Sequence, residues 1–287
     1  MSNPIVREKL DAREFFIAPG IQDMIAAVTA NRVGFDVVYG TGYWLTASAY
    51  GLPDAGIASF TQMLDRMATL VRTSDSAVIA DADTGYGGLL NVHHTVRGYE
   101  EAGVTAIQLE DQEFPKKCGH TPYKRLISTD DMVEKIKVAC DARRNPESTI
   151  IIARTDARRS EGLEAATERA RRYGEAGADV LFVEALESED EMRRSCDALT
   201  KPSLVNMSNG GLTPMVDAKT LAEMGFALAI YPSLTSLIAA AAMETALIRL
   251  KTEGTPQPEG MPMMDFNQFC SMIGFEDVWA FENKWAR

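Results

Sequence analysis

Apolar residues in this chain fall into short, nearly continuous runs, separated by longer stretches where they recur every three or four positions. The runs are FFIAP (15–19), FDVVYG (35–40), AVIAD (77–81), TAIQLED (105–111), TIIIART (149–155), DVLFVEA (179–185), SLVNM (203–207) and ALAIYP (227–232). Short apolar runs rich in β-branched residues and bounded by turn formers read as strands. The intervening stretches, around 20–33, 60–73, 91–102, 130–143, 162–176, 188–199 and 216–224, carry the helical period. Glu-Ala-Gly recurs at 101–103 and 175–177, where the glycine ends a helix and feeds the next strand. Strands apolar on both faces belong to a parallel sheet covered by helices. Eight strand–helix units in one chain predict a closed (β/α)8 barrel of the TIM type. A doubly wound open sheet is the alternative, but the first strand runs out as Ala18-Pro19-Gly20 with no GxGxxG after it.

The chain has 287 residues, enough for one barrel domain spanning 1–287. Residues 253–262 (EGTPQPEGMP) read as a linker. The stretch 263–285 reads as one amphipathic helical segment carrying Phe266, Phe269, Phe275, Trp279, Phe281 and Trp285. So many aromatics on an appendage imply docking, on the body or on another subunit.

Composition narrows the partners. An apolar fraction of 46% supports a large core, and a formal net charge of −12 disfavours nucleic acid and anionic membranes. No apolar run reaches the roughly 20 residues of a membrane span, and the N-terminus is polar. Cys118, Cys140, Cys196 and Cys270 are scattered, with no paired spacing. A cytoplasmic protein with reduced thiols is expected, with Cys140 and Cys196 as ordinary packing residues.

Candidate chemistry collects where the predicted strands end, the catalytic face of such a barrel. These ends carry Tyr39, Asp81, Asp83, Glu110, Asp111, Arg154, Asp156, Glu184 and Asn206. Asp81-Ala82-Asp83 leaves a strand, where alternate side chains share a face, so two carboxylates can converge on one hard cation. The other possibility is that one Asp caps the turn at 84–87. Oxygen ligands point to Mg2+, with Mn2+ as a substitute, and away from Zn2+. Arg154 ends an apolar strand and must pair, either with Glu184 or Asp156 or with a bound anion. His93 and His94 read as surface residues of a helix. KKCGH (116–120) sets Lys116, Lys117 and His120 around Cys118, and nearby cations favour a thiolate able to exchange protons.

DADTGYG, IQLEDQ, PKKCGH, IIARTDA, FVEA, a seventh strand ending in Asn and AIYP together resemble the isocitrate lyase/phosphoenolpyruvate mutase superfamily, over residues 14–285. KKCGH after an LEDQ strand resembles its lyase branch. The resemblance implies a barrel whose last helix is swapped between subunits of a tetramer built from dimers. It implies Mg2+ at Asp81 and Asp83, with Glu110 reaching it through water. Cys118 is the implied acid/base, flanked by Lys116, Gly119 and His120. Thr41, Gly42, Tyr43, Asp54, Arg154, Glu184 and Asn206 are implied around a small carboxylate substrate, with Tyr39 among the catalytic groups. The implied reaction is cleavage of a carbon–carbon bond in a 2-hydroxy di- or tricarboxylate, of the 2-methylisocitrate or 2-alkylmalate type. Carboxyphosphonoenolpyruvate mutase-like phosphorus–carbon chemistry and oxaloacetate hydrolysis are the alternatives. The chain departs from methylisocitrate lyases at Tyr43-Trp44, where small residues are usual, and near Asn209, where an acid is usual. Both departures favour a smaller substrate, with Trp44 facing the pocket or pointing away into the core or a subunit interface.

Overall fold

The computed structural model describes residues 3–119, 121, 123–254 and 260–286. His120, expected above to flank Cys118 in the catalytic loop, and the middle of the 253–262 linker lie outside the described residues. Eight parallel strands close into a barrel in chain order: β1 (Phe16–Ile21), β2 (Val37–Gly40), β3 (Ala77–Asp81), β4 (Ala106–Glu110), β5 (Ile150–Thr155), β6 (Val180–Val183), β7 (Ser203–Asn206) and β8 (Leu228–Tyr231). Pairing of β1 with β8, with Phe16 opposite Leu228, completes the ring.

The strands are apolar on both faces because both are buried. Outward residues such as Val38, Val78, Ile107, Ile151, Leu181 and Val205 join a core shared with the surrounding helices. Inward residues such as Phe16, Val37, Ile79, Ile152, Phe182 and Leu204 fill the barrel. The short helix α1 (Ile5–Asp11) closes the bottom of the barrel with Val6 and Leu10. The outer helices are α2 (Met24–Val33), α3 (Gly42–Tyr50), α4 (Phe60–Thr73), α5 (Leu89–Glu101), α6 (Thr129–Ala142), α7 (Arg158–Glu161), α8 (Leu163–Glu175), α9 (Glu189–Ala198), α10 (Ala218–Glu223) and α11 (Leu234–Glu253).

Pleating then decides what reaches the mouth. With period 2, the inward set on β3 is Ala77, Ile79 and Asp81; on β4 it is Ala106, Gln108 and Glu110; on β5 it is Ile150, Ile152 and Arg154. Each of these three inward columns begins apolar and ends in a charge, so this side of the barrel has an apolar floor and an ionic rim.

Three expectations are corrected. The helix expected from 20 begins at Met24, because β1 runs on to Ile21 and the Asp23 side chain accepts from the Ala26 amide as the N-cap. Asp83 is not on the strand: it has φ 50°, so a left-handed turn and not the pleat directs it. The single helical stretch at 263–285 is two helices, α12 (Phe266–Met272) and α13 (Phe275–Trp285), separated by Gly274 at φ 91°.

The C-terminal aromatics are largely uncovered in the single chain. Phe266, Phe281 and Trp285 are exposed, and α11 exposes Ile238, Met243, Leu247 and Ile248. Cys270 on α12 is buried, and α12 packs against α2. Among the described residues no helix is long and apolar enough to cross a membrane.

Candidate active site

A cavity of about 310 Å3 opens at the C-terminal ends of the strands. Its walls bring together Tyr39, Thr41, Tyr43, Trp44, Asp54, Asp81, Lys116, Cys118, Gly119, Arg154, Glu184 and Asn206. Gly42, Asp83 and Glu110 are not among the lining residues but contact them: Gly42 and Asp83 bind Asp81, and Glu110 faces Arg154. Trp44 lines the cavity, and its ring sits 4.7 Å from that of Tyr43.

The first centre is built on β3 and the start of α3. The Gly42 amide donates to Asp81 Oδ2 at 3.3 Å, and the Asp83 amide donates to Asp81 Oδ1 at 3.1 Å. A Cβ on Gly42 would come within 2.9 Å of Asp81 Oδ2 and 3.2 Å of Asp83 Oδ1. Both carboxylates therefore converge beside a glycine that leaves them room. Lys116, 3% exposed, spans Asp54 Oδ1 at 2.6 Å and Asp83 Oδ1 at 2.9 Å. Burial disfavours its charge, but Asp83 and Asp54 outweigh that and hold the lysine protonated. Burial pushes the Asp83 carboxyl up to about 7 against the pull of Lys116.

The second centre is Arg154. Its Nε and Nη2 grip Asp156 at 3.0 and 3.1 Å; Glu184 Oε2 lies 3.4 Å from Nη2 and Glu110 Oε2 3.5 Å from Nη1. Its Cζ stands 5.2 Å over the Phe182 ring. The ion-pair alternative read from sequence is thus present, with both named partners and Glu110 as a third. Burial raises the Glu110 carboxyl well above its usual range despite Arg154 and Lys116, and neither Glu110 oxygen has a hydrogen bond. Burial also opposes ionisation of Asp156, but Arg154 and Lys124 prevail and hold it well below the usual carboxylate range.

The cysteine loop leaves β4 and returns through a pinched neck. Gln112 bridges Leu126, and the Ile127 amide donates to the Asp111 carbonyl. Gln112 binds both the amide and the carbonyl of Lys117, and the Cys118 amide donates to the Asp54 carbonyl at 3.2 Å. These bonds set Cys118 over the mouth, half-buried. Asp111, read only as a strand-end acid, lies outside the cavity: its side chain accepts from the Thr155 hydroxyl, the Asp156 amide and Tyr173. Its work is to join the ends of β4 and β5.

Tyr39 is 2% exposed, and burial with the charge of Asp81 raises its phenol well above the usual range. At neutral pH it is a hydrogen-bond donor. Cys140 and Cys196 pack against the outer core, and burial pushes the Cys196 thiol up to about 12.

The donor set fits a hard divalent cation. Among the described residues, six carboxylates (Asp54, Asp81, Asp83, Glu110, Asp156 and Glu184) gather around three cations, Lys116, Lys124 and Arg154. Burial raises Asp83 and Glu110 toward their neutral forms in this crowd of acids, and an added cation would let them ionise. Among the described residues no group of three or more His, Cys, Asp or Glu is arranged to hold a metal ion by itself. A pair of converging carboxylates with the rest of the shell open suits Mg2+, which keeps several waters.

Reading the sequence did not single out Lys124, Thr121, Ser208, Pro232, Ser233 or Leu237, of which all but Lys124 line the cavity. Lys124 follows no motif, and Leu237 sits a turn into α11; neither carries a sequence signal.

A profile of the phosphoenolpyruvate phosphomutase family matches residues 6–251. The chain is 42% identical to 2,3-dimethylmalate lyase of Eubacterium barkeri, covering 98% of this chain and 97% of that protein. It is 41% identical to 2-methylisocitrate lyase of Halalkalibacterium halodurans, covering 94% and 88%. Among solved structures it resembles oxaloacetate acetylhydrolase in complex with 3,3-difluorooxalacetate, with TM-score 0.91, 34% identity and coverage of 97% and 95%. Phosphonopyruvate hydrolase in complex with oxalate and Mg++ aligns with TM-score 0.89 at 27% identity, covering 100% of both chains.

Proposed function

The chain belongs to the phosphoenolpyruvate phosphomutase family, and we propose that within it this protein is a carbon–carbon lyase acting on a 2-hydroxy dicarboxylate of the 2-alkylmalate type, with a methylisocitrate-type tricarboxylate as the larger alternative. One observation carries the reading: the Cys118 thiol and the Arg154 guanidinium share a cavity with Asp81 and Lys116. That cavity offers a proton donor, an anion anchor and a cation-holding carboxylate. The share of sequence held in common with named lyases supports the reaction class.

Asp81 and Asp83 would hold Mg2+, with Glu110 close to them; a cation there would make a substrate hydroxyl more acidic and offset developing negative charge. Arg154 and the Thr41 hydroxyl anchor the substrate carboxylates. A carboxylate of the Asp81, Asp83 and Glu110 group accepts the hydroxyl proton, because the buried Tyr39 phenol keeps its own and serves as a donor. As the C–O bond becomes C=O, the C–C bond breaks and its electron pair passes to the carbon of the departing carboxylate. Cys118 Sγ gives its proton to that carbon, leaving a thiolate beside Lys116. The products are a 2-oxo acid and a carboxylate. Gly119 and Asn206 line the cavity, and Glu184 accepts from Asn206 Nδ2 at 3.1 Å, orienting the amide.

Tyr43 and Trp44 on the wall favour the smaller, alkyl-bearing substrate. Oxaloacetate hydrolysis is the second reading, favoured by the likeness to the acetylhydrolase structure. The test is a panel assay with Mg2+ for oxo-acid release from 2,3-dimethylmalate and 2-methylisocitrate, and for loss of oxaloacetate and phosphonopyruvate. Lyase turnover on a hydroxy acid is expected; turnover confined to oxaloacetate or phosphonopyruvate overturns the lyase assignment.

The uncovered apolar faces of α11 and α13 support a homo-oligomer in which the C-terminal segment 263–287 is exchanged between subunits of a tetramer. The barrel with this appendage forms one functional unit, and a cytoplasmic setting suits its reduced thiols.

A further inference from the structure

Asp156 is held from two sides. Arg154 grips it with two nitrogens, and the Lys124 ammonium lies 2.6 Å from Oδ1. The same ammonium donates to the Gly119 carbonyl at 2.6 Å, with the lysine side chain only 7% exposed. Gly119 in turn lies against Arg154, where a Cβ would fall 2.1 Å from Nη2 and 3.1 Å from Asp156 Oδ1. Gln112 Nε2 adds a neutral donor to Asp156 Oδ2 at 3.3 Å. Lys124 therefore hydrogen-bonds both the backbone beside Cys118 and the acid that neutralises Arg154.

The charges explain why this matters. Arg154 faces Asp156, Glu110 and Glu184. With Asp156 ionised against two of its nitrogens and two further carboxyl groups beside it, the guanidinium has little attraction left for an anionic ligand. A second cation on Asp156 draws off that carboxylate's field where the dielectric is low and charges act strongly. Resting on the reading of the cavity as the site of a carboxylate substrate, we propose that Lys124 is a positioning residue. Through Asp156 it sets how much positive charge Arg154 offers the substrate, and through the Gly119 carbonyl it fixes the turn bearing Cys118.

The experiment uses the full chain with Mg2+, and oxalate as the dianionic probe, titrated by calorimetry. Lys124→Met should weaken oxalate at least tenfold, and Lys124→Arg should stay within threefold of wild type. The decisive variant is Lys124→Met/Asp156→Asn. It removes the cation together with the acid it offsets, and oxalate affinity should return to within threefold of wild type. A prop for the loop predicts the opposite, since losing both partners loosens the turn further. Oxalate binding by Lys124→Met within twofold of wild type, or by the double variant no tighter than by Lys124→Met, overturns the proposal while leaving the site reading intact. If Lys124→Met does not fold, Asp156→Asn alone decides: affinity equal to or tighter than wild type supports the proposal, and a loss beyond threefold overturns it. Failure of the wild type to bind millimolar oxalate overturns the site reading and this inference with it. In turnover assays Lys124→Met should raise KM as well as lower kcat, and the double variant should recover KM but not kcat.

Discussion

Gly119 lies so close to Arg154 that any side chain there would enter the guanidinium, the nearest approach being 2.1 Å from a Cβ to Nη2. The thiol loop and the anion anchor are thus one packed unit. Gly119→Ala should push Arg154 off Asp156 or lift the loop. A fall in kcat/KM of at least 100-fold is expected, since small misplacements of catalytic groups cost about that much. Steady-state kinetics beside a thermal melt check it: activity within tenfold of wild type would show that the loop and Arg154 move independently.

Cys118→Ser should leave oxalate and Mg2+ binding nearly intact and cut turnover by about 10²–10⁴-fold, the usual contribution of a general acid. The hydroxyl keeps the shape but is far less acidic than the thiol. Titration calorimetry and turnover on one preparation separate the two effects. Turnover within tenfold of wild type would remove Cys118 from proton transfer.

Asp83→Ala should abolish Mg2+ affinity and leave the barrel folded. Asp83 sits on a turn after β3, outside both apolar clusters. Its loss also leaves Lys116 with Asp54 as its remaining ion-pair partner. Metal titration paired with a melt decides; unchanged affinity, or collapse of the fold, counts against the ligand role.

Tyr43→Ala/Trp44→Gly should shift the preference in kcat/KM from 2,3-dimethylmalate toward 2-methylisocitrate. Aromatic side chains each bury roughly 150–250 Å2, and these two half-buried rings line the cavity wall beside Thr41. Discrimination by bulk is worth about 1–3 kcal/mol, so a ten- to hundredfold change in the ratio is expected. A ratio that does not move, or a wild type already preferring the tricarboxylate, removes these residues from substrate choice.

Trp279→Asp/Phe281→Asp should break the oligomer without unfolding the barrel. Both residues are exposed on α13 in the single chain, at 47% and 65%, so neither supports the monomer core. Light scattering coupled to size exclusion reads the mass. A tetramer that survives both charges would place the interface elsewhere.

The sequence by itself determined the barrel and most of the charged groups at its mouth. All eight strands were legible to within two residues or so, because burial on both faces leaves continuous apolar runs that no exposed strand would show. The charged strand ends at Asp81, Glu110 and Arg154 were legible too, because each closes an apolar run. What only the tertiary structure decided depends on meetings between distant segments. The turn that swings Asp83 beside Asp81 is a backbone choice, φ 50°, against the intrinsic preference of a non-glycine residue, so the strand pattern could not announce it. The division of Asp156 between Arg154 and Lys124 joins two positions 32 residues apart, and no local period links them. The break at Gly274 splits a stretch whose amphipathic pattern reads as one helix. Periodicity records which side of an element is buried; it does not record which charge a buried charge will meet.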